Sequence, residues 1–291
     1  FDELGGGKQN EFTQAGCEIL GASSPEADAE AVAMAINAIK ITGIEEFQID
    51  IGQVDFFKGL MEESGLEEDA IEEVRELIDL KDFVGVEQVM DRHSVSKELR
   101  TLILDLPKLF GSKDILKNID YSHIGERATK AIDNIKVILE ILEDRNLDQY
   151  VSIDLGMVQS MNYYTGIVFR GYTYGVGFPI LSGGRYDTLV SKFGRDLGAT
   201  GFSLGINMIM MALERQKKLR IPEKEGCFVS YEEGARKQAL EYCRQLIDQG
   251  IPAQIDFMLK GMDEGIRYAS KKGLRSFVYF YRDGSRKEIS L

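Results

Sequence analysis

The sequence predicts an α+β protein: strands and helices broken by a helical insertion, then a small α/β module. Three observations predict it. Before the linker, strand-like segments fall at Asn10–Leu20 and about 47–51, and again between about 150 and 203. Between them the pattern is helical almost throughout, from Asp55 to about Leu142. Beyond a polar, proline-bearing linker, single strands and helices alternate, as in a parallel-leaning α/β unit. The boundaries expected are a main domain over 1–215, a linker over 216–226 and a small domain over 227–291.

Taken in order, Gly5-Gly6-Gly7 is a turn, and Asn10 to Leu20 alternates as the strand that leaves it. Ser23-Ser24-Pro25-Glu26 has the form of a capping box with proline in the first turn. The helix it opens carries an apolar stripe of Ala29, Val32, Met34, Ile36 and Ile39, and stops at Gly43. Phe47, Ile49 and Ile51 alternate as the next strand. Short amphipathic segments separated by Gly65, Gly85, Ser94 and Gly111-Ser112 form the insertion, about 65–119, and a long helix runs from Ser122 to about Asp144. Strands are then expected at 150–154, 163–174, 178–181 and 199–203, with helices at 186–192 and 205–215. The small module reads strand 227–231, helix 233–249, strand 252–257, helix 260–272 and strand 275–281.

Composition excludes several classes of function. No apolar run approaches the roughly 18 to 20 residues that span a bilayer. Cys17, Cys227 and Cys243 are far apart and odd in number, as expected of reduced thiols in a cytoplasm. His93 and His123, the two histidines, stand in polar helical contexts with no supporting motif, so neither a metal cage nor a Ser-His-Asp triad is expected. A net charge of −13 disfavours nucleic acid as a partner. The charge is uneven: residues 215–291 hold 16 Lys and Arg against 11 Asp and Glu, leaving 19 against 37 elsewhere.

Three constellations could carry binding chemistry. Gln14 and Glu18 sit four apart on a strand and share a face, and a carboxylate beside an amide suits an imidazole nitrogen and an ammonium group. Tyr163-Tyr164-Thr165-Gly166 reads as strand, so only one tyrosine can face a given pocket while the other packs behind it. Ser182-Gly183-Gly184-Arg185-Tyr186-Asp187 ends a strand and begins a helix, where glycines admit close approach of a ligand. Each has a plainer reading when taken alone: exposed sheet residues, aromatic packing, and a glycine turn. Neither a dinucleotide fingerprint nor a Walker loop is present.

The order of these motifs (GKQNEFTQAGCEILG, NYYTGIVFRG, SGGRYD, then GFSLGINMIMMAL) resembles the class II aminoacyl-tRNA synthetase core of the histidyl type. More closely it is similar to the family of ATP phosphoribosyltransferase regulatory subunits, synthetase paralogues that have lost aminoacylation. GKQNEFTQAGCEILG looks like the later half of motif 2, and GFSLGINMIMMAL like motif 3. The stretches SGLEEDAIEEVRELIDLKDF and SKELRTLILDLPKLFGS look like that family's insertion. The resemblance covers roughly residues 1–215; motif 1 and the first half of motif 2 have no counterpart in these residues.

The resemblance implies a class II synthetase-like antiparallel sheet and a histidine pocket formed by Gln14, Glu18, Tyr164, Gly184 and Tyr186, with Tyr163 a weaker member. It also implies which groups are lost. An arginine expected four residues before the tyrosine pair is Gln159, and a second, at the entry to the last helix, is Met208. Lys8 and Asn10 stand where the synthetase carries further arginines. Losing one such electrostatic contact typically costs about 2.7 to 4 kcal/mol at a transition state. The function implied is therefore a cytoplasmic, non-catalytic regulatory subunit, needing no cofactor and acting in the first step of histidine biosynthesis. Its implied partners are a short-form catalytic subunit, a second copy of itself and L-histidine as effector. The alternative is a divergent histidyl-tRNA synthetase.

Overall fold

The computed structural model describes residues 12–158, 163–219 and 225–291, and the side chains of Asn118 and Tyr121 are left aside. Gly5–Gly7, Lys8, Asn10, Gln159 and residues 220–224 of the polar linker therefore lie outside the described residues. The chain divides into two compact units, 1–219 and 220–291.

In the first unit the elements are β1 (Gln14–Leu20), α1 (Pro25–Ile41), β2 (Phe47–Gln53), α2 (Val54–Ser64), α3 (Glu68–Asp79), α4 (Phe83–Arg92), α5 (Lys97–Asp105), β3 (Phe110–Gly111) and α6 (Glu126–Asp144). They continue with β4 (Val151–Asp154), β5 (Ile167–Thr173), β6 (Leu181–Arg185), α7 (Asp187–Ser191), β7 (Ala199–Gly205) and α8 (Ile206–Arg215). The seven strands form one sheet in the order β1-β7-β6-β5-β2-β4-β3. Every junction is antiparallel except β2 with β4, which run parallel. A parallel pair needs a long crossover, and the helical segment between β2 and β4 supplies it.

The two faces of this sheet differ because strand side chains alternate. One face presents Ile49, Ile51, Ile167, Phe169, Phe202 and Leu204, all buried against α1, α8 and the end of α6. Alanines at 29, 31, 33 and 35 let α1 lie close to its neighbours. A second cluster holds the insertion together: Phe56, Phe57 and Leu60 of α2 pack with Val74, Val86, Val89, Ile103 and the inner face of α6. The opposite sheet face carries no such apolar layer and is where the candidate site lies.

Several local expectations change. Ser24 is the N-cap of α1, but its side chain makes no capping bond; it hydrogen-bonds Glu26, one residue too early for a capping box. The strand expected from Tyr163 begins only at Ile167. The strand expected over 178–181 is displaced to 181–185, because Pro179 has no N–H for the ladder and Phe178 points into solvent. Gly183 and Gly184 thus lie inside β6 and are not a turn.

The second unit contains β8 (Cys227–Tyr231), α9 (Arg236–Asp248), β9 (Ala253–Ile255), α10 (Gly261–Lys271), β10 (Ser276–Phe280) and β11 (Arg286–Ser290). Its sheet runs β11-β10-β8-β9, with β8 parallel to both β9 and β10. The sequence reading missed β11. It pairs antiparallel with β10 across a turn closed by Gly284 at φ 87° and by the Asp283 carboxylate, which accepts from the Ser285 N–H. Cys227 and Cys243 are buried here, and burial pushes the Cys243 thiol up to about 11.

Candidate ligand-binding site

The polar sheet face is built by register. Glu18 on β1 stands opposite Gly201 on β7, Gly201 opposite Gly184 on β6, and Gly184 opposite Val168 on β5. One step along, the row is Gly16, Ser203, Ser182, Arg170 and Asp50. The middle of the face is therefore backbone and hydroxyl, with larger polar groups at its sides.

Aromatic rings fill the space the glycines leave. The Tyr164 ring lies over Gly184: a Cβ there would come within 2.7 Å of two ring carbons and 2.5 Å of the Ile167 carbonyl. Tyr163 meets Tyr164 edge-to-face with centroids 4.8 Å apart, and stacks on Tyr186 at 5.3 Å. The Tyr186 hydroxyl donates to the Glu18 carboxylate, which lies directly over Gly201. Glu18, Tyr186, Tyr163, Tyr164 and Gly184 thus form one continuous wall and floor. Burial, then the hydrogen bond and charge of Glu18, push the Tyr186 hydroxyl far above its ordinary range. Burial raises Tyr163 and Tyr164 as well. The Tyr163 and Tyr164 phenols stay protonated and can donate to a ligand's lone pair, while Glu18, which holds the Tyr186 hydroxyl, accepts from the ligand's N–H groups.

The expectation that strand alternation admits only one of the two tyrosines is corrected. Both tyrosines precede β5, in a turn where no alternation operates, and Tyr163 touches both of the other rings. Gln14 shares the face of Glu18 but stands opposite Gly205, four residues along β7 from Gly201. Met208 sits in the first turn of α8, half-buried against the core beside Gly205.

What positions Tyr186 was not foreseen. The neighbouring Arg185 is buried and bonds Asp28 of α1 through Nε at 3.1 Å and a terminal nitrogen at 2.9 Å. It also donates to the carbonyls of Ala22 and Ser24 and to Asp187. Asp187 in turn accepts from the Ala199 N–H, and the Tyr186 N–H donates to the Ala199 carbonyl at 2.8 Å. Burial pushes the Asp28 carboxyl up, and the Arg185 guanidinium opposes it. Tyr186 is held on both sides by this network, whose only sequence trace is an Arg and an Asp flanking a Tyr.

The histidyl-tRNA synthetase family model matches residues 2–209. A protein of Acetivibrio thermocellus named ATP phosphoribosyltransferase regulatory subunit is 55% identical over 274 residues, covering 94% of this chain and 66% of that protein. One of the same name from Ruminiclostridium cellulolyticum is 49% identical over 286 residues, covering 98% and 68%. The chain thus spans about two thirds of the length of these relatives. A crystal structure described as an ATP phosphoribosyltransferase regulatory subunit/histidyl-tRNA synthetase from Bacillus halodurans superimposes with a TM-score of 0.81 at 29% identity, covering 94% of this chain and 70% of that one. Histidyl-tRNA synthetase from Nostoc shares the fold, with a TM-score of 0.77 at 21% identity over 96% of this chain and 72% of that one. On the strength of the relatives' identity and the matched model, the chain belongs to the family of ATP phosphoribosyltransferase regulatory subunits, built on the histidyl-tRNA synthetase fold.

Proposed function

We propose that the chain is a non-catalytic regulatory subunit that activates a short-form ATP phosphoribosyltransferase and makes it sensitive to histidine in the first step of histidine biosynthesis. The observation that carries this reading is the Glu18–Tyr186–Tyr163–Tyr164 wall over a glycine floor, in a chain whose relatives are named regulatory subunits. An imidazole needs one acceptor and one donor in this setting, and the carboxylate and the phenols supply them. Gln14, Glu18, Tyr163, Tyr164, Gly184 and Tyr186 are the proposed contacts for histidine.

Catalysis is absent in this reading for an electrostatic reason. Adenylate formation develops negative charge that needs cations, and Gln159 and Met208 provide none. Methionine at 208 has an apolar use instead, packing beside Gly205. The glycosyl transfer belongs to the separate catalytic subunit, and the regulatory chain also pairs with itself. No described helix is long and apolar enough to cross a membrane, in keeping with a cytoplasmic complex. Histidine would inhibit by binding one state of the complex more tightly than the other, a coupling typically worth about 1 to 3 kcal/mol.

Reconstitution tests the reading. Added to the short catalytic subunit of the same genome, the protein raises phosphoribosyl-ATP formation, and L-histidine suppresses that increase. Histidine-dependent ATP–pyrophosphate exchange by the protein alone would instead identify a synthetase.

A further inference from the structure

Arg170 has no place in the site as described so far. It lies on β5, between Asp50 on β2 and Ser182 on β6, with Ser203 beyond. Its side chain is on the ligand-facing side of the sheet, the same side as Glu18, by strand parity. Among the described strand residues of that face it carries the one positive charge; the other ionised groups there are Glu18, Asp50 and Asp154.

The two carboxylates near it are already engaged. The Ser152 hydroxyl donates to Asp50, and the Gly156 N–H donates to Asp154 at 2.9 Å. No hydrogen bond or ion pair joins Arg170 itself to a described residue. It is half-buried, and close enough to Tyr164 to act on that hydroxyl electrostatically, in the opposite sense to Glu18. Arg170 also acts on Asp154 through its charge, but a partly desolvated guanidinium with no hydrogen bond or ion pair to a described residue, beside a ring that floors the site, keeps its N–H fork available to an anion. Glu18 and Arg170 stand on strands three spacings apart, about 14 Å, with only Gly201, Ser203, Ser182 and Gly184 between them. The face therefore offers an acceptor at one side and a guanidinium at the other, across serines and the Tyr164 ring laid over Gly184.

We propose that Arg170 receives the ligand's carboxylate and so restricts the site to free amino acids with an intact α-carboxyl group. This rests on the histidine-binding reading above. Its chemistry is a charge-assisted, fork-shaped pair with the carboxylate, while Glu18 takes the ligand's N–H donors. The site should accordingly reject the matching amino alcohol, which keeps the imidazole and the ammonium but lacks the anion.

Isothermal titration with L-histidine and L-histidinol separates the possibilities. The protein should bind histidine at least about tenfold more tightly than histidinol, the span expected for one charged hydrogen-bonded contact. Arg170→Gln should weaken histidine about ten- to a hundredfold and leave histidinol within about twofold, while Arg170→Lys recovers part of the preference. Equal affinity for the two ligands in the unaltered protein overturns the proposal without any variant. An equal loss for both ligands in Arg170→Gln also overturns it, since that marks a structural role. Absence of histidine binding in the unaltered protein removes the histidine-binding reading together with this one.

Discussion

The buried pair between Arg185 and Asp28 makes a quantitative prediction. Replacing Asp28 by Asn removes the charge facing a guanidinium that is 7% exposed, against 2% for the Asp28 side chain. Removing one partner of a buried pair typically costs about 3 to 5 kcal/mol, because the other charge stays behind. Here the lower end applies: Asp187 at 3.0 Å and the carbonyls of Ala22 and Ser24 still contact Arg185. A loss of about 3 kcal/mol in a unit of this size lowers its melting temperature by about 6 to 12 °C. Urea denaturation followed by circular dichroism measures the loss directly. The same variant should weaken histidine binding, since Arg185 and Asp187 flank the tyrosine that holds Glu18. The double variant Asp28→Leu/Arg185→Met leaves no orphaned charge and should recover most of the stability. A single-variant loss below about 1 kcal/mol, or a double variant no more stable than Asp28→Asn, would refute the argument.

Other outcomes follow from the same geometry. Gly184→Ala should cost about 1 to 3 kcal/mol and cut histidine affinity more than tenfold, because its methyl meets the Ile167 carbonyl and the Tyr164 ring; calorimetry and thermal melting read both. Glu18→Gln should weaken histidine by roughly tenfold or more while moving the melting temperature little, since Glu18 is an exposed residue; in the reconstituted enzyme, inhibition should shift to higher histidine by a like factor. The raised phenols of Tyr163, Tyr164 and Tyr186 predict alkaline destabilisation. The unfolded chain gives up these protons near its ordinary value of 10.0 while the folded one keeps them, so stability is full below that pH and falls above it. A urea midpoint unchanged between pH 9 and 11 would contradict this. Native alkylation at pH 8 should modify half-buried Cys17 well before Cys227 and Cys243, as peptide mass mapping will show.

How much of this was legible beforehand depended on which residues carried the signal. Periodicity located the helices and the apolar sheet face, because Ile49 and Ile51 alternate in an unbroken local pattern. It failed at Tyr163-Tyr164, where a run of aromatic and β-branched residues reads as strand although the chain turns there to lay one ring on Gly184. It failed again at Gly183-Gly184, since glycine pairs usually punctuate strands; here the Phe169 and Tyr164 rings occupy the space of their missing side chains. The Glu18–Tyr186 bond joins residues 168 apart in sequence, and the Arg185–Asp28 pair residues 157 apart. No short-range pattern encodes either. Arg170 escaped notice for the same reason: its meaning comes from the strands beside it.

The placement of β1 has a consequence for how the protein is made. Gly16 pairs with Ser203, 187 residues further along, and β1 has β7 as its sole described strand neighbour. At about 5 to 20 residues per second, a ribosome needs roughly 10 to 40 s between synthesising the two. For that interval the strand carrying Gln14 and Glu18 lacks its described partner, at the time when unpaired strand edges most readily join other chains. The proposed histidine site therefore cannot be complete before β7 has been made. A chaperone or docking partner that covers β1 during translation would raise the yield of active protein without touching its final stability.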